Sequence, residues 1–114
     1  MNPRAEIYLV SGFTDMRKSI NGLVAIVVDD LQLNPLSEAW FVFCNRNRDK
    51  LKILFWQHNG FWLYYRRLET GKFQWPKGNC CSISLTQHQL NWLLSGLSPM
   101  QNSSHKQIIG KNYF

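Results

Sequence analysis

Two apolar-aromatic runs, Leu51-Lys-Ile-Leu-Phe-Trp56 and Phe61-Trp-Leu-Tyr-Tyr-Arg-Arg67, flank the short polar segment Gln57-His-Asn-Gly60. Runs of this length, rich in aromatic residues and separated by a glycine-containing turn, are the local signature of a β-hairpin. A hairpin cannot stand alone in water, so the rest of the chain must supply further strands and a covering layer. The loop length decides which side chains share a face. A two-residue Asn59-Gly60 turn sets Lys52 opposite Arg67. A three-residue loop His58-Asn59-Gly60 sets Lys52 opposite Arg66 and Trp56 opposite Trp62. Both registers place like charges together, so electrostatics does not choose between them. The pleat favours the three-residue loop. It gathers Leu51, Ile53, Phe55, Leu63 and Tyr65 on one face, a core face. Lys52, Trp56, Trp62, Tyr64 and Arg66 then form a basic aromatic outer face.

The flanking sequence supplies the other elements. Glu6 to Ser11 reads as a strand stopped at Gly12. Thr14 is placed to cap a helix, with Asp15 in its first turn. Met16, Ile20, Leu23, Val24, Val27 and Leu31 recur at helical spacing, and Asn34-Pro35 stops the helix near Leu33. Trp40 to Cys44 reads as a buried strand, and Arg46 to Lys50 as a polar turn. Lys72 to Trp75 and Cys80 to Leu85 read as two more short strands. Thr86 and Gln89 form a capping box, Leu85 and Leu90 a hydrophobic staple. Leu90, Leu93, Leu94 and Leu97 supply the buried stripe of a second helix, closed by Gly96. The expected fold is α+β: a mostly antiparallel sheet of five or six strands with an N-terminal and a C-terminal helix. Residues 1–97 form one domain. Residues 98–114, rich in Gln, Asn, Ser and Lys, form a flexible tail.

Charge is segregated. Between Arg46 and Lys77, eight bases (Arg46, Arg48, Lys50, Lys52, Arg66, Arg67, Lys72, Lys77) face only Asp49 and Glu69. That surplus equals the whole formal charge of +6. The bases alternate with Phe55, Trp56, Phe61, Trp62, Tyr64, Tyr65, Phe73 and Trp75. Clustered bases attract polyanions, and flat rings stack on nucleobases. The same pattern also describes a solvated sheet face over an aromatic core.

Other function classes find little support. No apolar run approaches the ~20 residues of a membrane span, and the first residues lack the apolar core of a secretory signal. Cys44, Cys80 and Cys81 are odd in number and include an adjacent pair, so a reducing cytoplasm is expected rather than a disulfide framework. His58, His88 and His105 have no metal-ligand spacing with these cysteines. The seven acids form no catalytic cluster, and no cofactor is indicated. Gly12-Phe-Thr-Asp-Met-Arg-Lys-Ser19 approaches a phosphate-binding loop, but Arg17 stands where that loop needs glycine to wrap phosphates. Arg17 and Lys18 at a helix start can still hold one backbone phosphate, or Arg17 can pair with an acid.

Gly12-Phe-Thr-Asp-Met-Arg-Lys-Ser19, Phe41-Val-Phe-Cys-Asn-Arg46, Asp49-Lys-Leu-Lys-Ile-Leu-Phe-Trp56 and Gly60-Phe-Trp-Leu-Tyr-Tyr-Arg-Arg-Leu-Glu-Thr-Gly-Lys-Phe-Gln-Trp-Pro76 follow one another in a familiar order. Over residues 7–97 the chain resembles the small accessory proteins, TnpB, of the insertion-sequence-66 family of bacterial transposable elements. The resemblance implies a non-catalytic accessory factor of transposition, encoded beside a separate transposase that is its partner. Together with the charge pattern, the expected site is a nucleic-acid surface made of Arg17, Lys18, Arg46, Arg48, Lys50, Lys52, Trp56, Trp62, Tyr64, Arg66, Arg67 and Lys72, binding DNA with low specificity. The alternative is that the same basic face docks on an acidic protein, such as the transposase, without touching DNA.

Overall fold

The computed structural model describes residues 5–77 and 81–100. Five strands form one sheet: β1 (Ile7–Val10), β2 (Trp40–Cys44), β3 (Lys50–Gln57), β4 (Gly60–Arg67) and β5 (Ser82–Leu85), in the spatial order β4-β3-β2-β1-β5. All five residues of β2 are buried. A strand covered on both faces needs a continuous apolar run, and Trp-Phe-Val-Phe-Cys supplies it.

Between β1 and β2 lies the first helix, α1 (Ile20–Ala25), which runs on as a π-helical turn over Ile26–Asp30. A strand that returns beside its predecessor through a helix pairs parallel to it, and β1 and β2 do, with Ile7 opposite Trp40. The other three pairings are antiparallel. The sheet is therefore mixed rather than mostly antiparallel. Both helices are internal to the chain rather than terminal. A short connection was expected to force antiparallel pairing, but α1 is itself the crossover.

Each face of the sheet has its own core. On one, Leu23 and Val27 of the first helix pack with Val10, Phe41, Phe43 and Leu54. On the other, Leu90 and Leu93 of α2 (Gln87–Leu94) pack with Leu9, Val42, Ile53 and Phe55. Phe73 and Trp75 join this second core. They belong to the chain that crosses from β4 at one edge to β5 at the other. No strand forms at residues 72–75. Instead Phe73 N–H donates to the Arg48 carbonyl, and the Trp75 indole donates to the Val10 carbonyl at 3.2 Å.

The second helix follows its sequence signals. Thr86 and Gln89 cap it reciprocally. Gly96, at φ +88, lets Gly96 N–H reach Leu93 O and Leu97 N–H reach Trp92 O, the paired bonds of a left-handed helix end. Leu97, expected in the buried stripe, is exposed, because this reversal carries it off the helix face. The first helix starts later than expected. Thr14 does not cap it. Its N–H bonds the Cys44 carbonyl at 2.8 Å, pinning the loop to the end of β2, and Ser19 precedes the first helical residue. The expected flexible tail lies outside the described residues from 101 onward, while Pro99 is fully buried.

The hairpin register differs from both expected alternatives. Gln57 pairs with Gly60, so the two loop residues are His58 and Asn59, at φ 51 and 67. Gly60 is the first residue of β4 rather than a turn residue. Lys52 now faces Tyr65 instead of an arginine. Relative to the three-residue loop this is a slip of one residue, which turns every side chain of β4 over. Trp62, Tyr64 and Arg66 share the face of Phe55. Leu63 and Tyr65 share the face of Lys52 and Leu54.

Candidate nucleic-acid interface

The parallel strands β1 and β2 end side by side, and the loops that follow them meet there. After β1 comes Gly12 to Ser19, after β2 the turn at residues 45–49. Crevices beyond the carboxyl ends of parallel strands are where open sheets with crossover helices hold ligands. Here the crevice is a groove of about 900 Å³, lined by Phe13 to Arg17, Asn45 to Asn47, Lys50, Lys52, Leu63 and Tyr65.

The turn is built around Asn45. Its side-chain oxygen accepts from the N–H groups of Asp49 and Lys50, and its amide donates to the Asp49 carboxylate at 2.7 Å. That amide, ahead of the Lys50 and Lys72 charges, holds the Asp49 carboxyl below its ordinary range. Lys72 donates to the Asn47 carbonyl at 2.7 Å, tying the far crossover to the turn. With the backbone fixed, Arg46 projects over the Phe13 ring, its guanidinium carbon 5.7 Å from the ring centre.

The opposite wall is set by Lys52. Its ammonium donates to the carbonyls of Met16 and Lys18, at 2.9 and 2.8 Å, and lies 5.9 Å from the centre of the Tyr65 ring. An ammonium with three donors satisfies two carbonyls that precede the helix. The loop between them carries an Arg17–Asp15 fork at 2.7 to 3.1 Å. Arg17, through its side-chain bonds first and its backbone N–H second, lowers the Asp15 carboxyl to a pKa of about 2.

The expected site residues separate into groups. Arg17, Arg46, Lys50 and Lys52 converge on the groove. Arg48 lies next door, in a cavity of about 600 Å³ that also contains Lys77 and shares Phe13 and Arg46 with the groove. Lys18 lines a third depression, which shares Phe13, Thr14 and Asp15. Trp62, Tyr64 and Arg66 stand on the other side of the sheet. Trp62 stacks on Phe55 at 6.5 Å, and Tyr64 meets Phe55 and Trp40 edge-on at 5.2 and 5.9 Å. Trp56 packs edge-on against Phe61 at 5.0 Å at the hairpin end. Arg67 is engaged by Glu69 at 2.9 Å, and Lys50 has Asp49 at 3.6 Å. The single basic aromatic face expected for the hairpin is thus two surfaces. Its physical cause is the two-residue loop.

Two groove residues were missed. Tyr65 was assigned to the core and is 53% exposed; Phe13 was assigned no role and is 50% exposed. The register would have revealed Tyr65. Phe13, an apolar ring directly after Gly12 in an otherwise polar loop, was the legible signal for the other.

Among the described residues no group of His, Cys, Asp and Glu could hold a metal ion, and no helix is long and apolar enough to cross a membrane. Cys44 is buried, and burial pushes its thiol up to about 12, so it is no nucleophile at neutral pH.

No solved structure matches this chain. Two proteins of Sinorhizobium fredii (strain NBRC 101917 / NGR234) do. The uncharacterized protein y4hO is 36% identical over 91 residues, covering 80% of this chain and 79% of that protein. The uncharacterized protein y4jC is 32% identical over 83 residues, covering 73% and 71%. The family profile described as IS66 Orf2 like protein matches residues 5–104, which span both loops of the groove and every described strand and helix, and the chain therefore belongs to the IS66 Orf2-like family.

Proposed function

We propose that this protein is a non-catalytic accessory factor of insertion-sequence transposition that binds nucleic acid through the groove beyond β1 and β2. Family membership supplies the transposition-associated accessory role. The observation that carries the binding mode is the convergence of Arg17, Arg46, Lys50 and Lys52 with two half-exposed rings on one groove. Lys18, Arg46, Arg48 and Lys77, in and around it, form no ion pair with a carboxylate among the described residues. Cations held in this way lower the energy of phosphates along a backbone and read no sequence.

Binding of duplex DNA should weaken with salt. If about four phosphates are neutralised, log affinity falls against log salt with a slope of roughly −3 to −4. Arg46→Ala combined with Arg48→Ala should flatten that slope by about 1 to 2. Absence of any complex at low salt would refute the proposal.

A second reading has its own observation. Trp62, Tyr64 and Arg66 are exposed on β4, an eight-residue strand at the sheet edge. An open edge with aromatic anchors suits an added strand from another protein, and Arg66 suits an acidic one. In that reading the chain is a docking subunit for a partner such as the transposase.

A further inference from the structure

We infer that the groove takes unpaired nucleotides, with bases stacked on Phe13 and Tyr65. This rests on the nucleic-acid reading above and goes beyond it by choosing single strands over duplex.

The first reason is that neither ring belongs to a core. The described cores on the two faces of the sheet contain neither Phe13 nor Tyr65, and about half of each residue is open to solvent. Exposing a large ring beside a well-packed sheet gains nothing for stability, whereas a base that covers it removes that area from water.

The second reason is how the rings are held. Each has a cation over its face: Arg46 over Phe13, Lys52 over Tyr65. Lys52 is fixed by two carbonyls, and Tyr65 stands directly opposite it in the β3–β4 ladder. Arg46 lies within the turn fixed by Asn45. Both platforms are therefore set in place before a ligand arrives, which lowers the ordering cost of binding.

The third reason is charge placement. Phe13 lines the groove and both neighbouring depressions, whose linings also include the cations Arg17, Lys18, Arg46 and Arg48 alongside Asp15 and Asp30. A strand whose bases lie on Phe13 and Tyr65 has its phosphates within a basic rim. In a duplex the base faces are buried in the stack and cannot meet a ring unless a base is extruded at a cost. Alternating rings and cations along a groove are the general arrangement for binding single strands without sequence preference.

The test uses the full chain and three fluorescent DNA probes in an anisotropy titration at one low salt concentration. These are a short oligothymidine, an abasic strand with the same number of phosphates, and a duplex of matched charge. The intact protein should bind the oligothymidine on the order of tenfold more tightly than the abasic strand. Phe13→Ala and Tyr65→Ala should each erase most of that difference, while Tyr65→Phe, which keeps the ring, should retain it. Equal binding of all three probes by the intact protein would overturn stacking and leave the polyanion reading standing. No binding of any probe would overturn both. The comparison of thymidine with abasic strand needs no variant, so it decides the matter even if an alanine substitution impairs folding.

Discussion

At the scale of single residues, the fork between Arg17 and Asp15 decides what the loop after β1 offers a ligand. Arg17's side chain is 91% exposed, yet its guanidinium is already engaged by a carboxylate. A phosphate would have to compete with Asp15 for it, whereas the contact at Arg46 is only a ring. The fork has a measurable mark. Asp15 has a folded pKa depressed from 3.8 to about 2. A depressed carboxylate favours the folded loop above its ordinary pKa, and that preference fades as pH falls from about 4 through about 2. A carboxyl titration followed by NMR should place Asp15 near 2 in the intact chain and move it upward in Arg17→Ala, short of 3.8 because the residue-17 backbone N–H remains. A midpoint near 3.8 in the intact chain would mean the fork does not persist in solution, and Arg17 would then be free for phosphate.

At the scale of elements, Lys52 is the residue whose role changed most between sequence and structure. Its sequence context, a lysine in an aromatic hairpin, suggests an outer charge for DNA. Its position in β3 instead sends the ammonium to Met16 O and Lys18 O, so it joins the hairpin to the loop before the first helix. Hydrogen bonds from a charged donor contribute about 1.5–3 kcal/mol each in favourable settings. Lys52 is partly exposed, so Lys52→Ala should lower unfolding free energy by about 1–3 kcal/mol in urea denaturation. An unchanged midpoint with a flattened DNA salt slope would mean that Lys52 serves phosphate binding alone and not the fold. The hairpin shows why this was hard to read. Asn59-Gly60 is the stronger local turn signal, but His58-Asn59 forms the loop. The chosen register opposes Leu54 with Leu63 and Lys52 with Tyr65, and the like-charged pair Lys50–Arg67 is eased by Asp49 and Glu69. Burial and cross-strand pairing outweigh a turn preference, and neither is visible within the loop itself. By contrast, the cap at Thr86 and the stop at Gly96 depend only on residues a few positions apart, and both were legible.

At the scale of the whole molecule, the α+β class followed from the elements, as did the buried character of β2. The parallel pairing of β1 with β2 did not, because it depends on the helix between them acting as a crossover. That pairing creates the groove, since it brings the loops after both strands to one end of the sheet. Of the bases in the charge-segregated segment 46–77, Arg46, Lys50 and Lys52 line the groove and Arg48 lies beside it. The groove's other wall, Phe13 to Arg17, comes from a distant segment balanced in charge, so composition could not join it to the rest. The same topology places Trp62, Tyr64 and Arg66 on the far face, as a separate surface. Which of the two surfaces meets nucleic acid is the central question. It is answered most directly by following backbone amide shifts of isotope-labelled protein as a short DNA strand is added. Shifts should concentrate at Phe13, Arg46, Asn47 and Tyr65, with Trp62, Tyr64 and Arg66 little changed. Shifts confined to Trp62, Tyr64 and Arg66 would contradict the assignment of the groove as the nucleic-acid site.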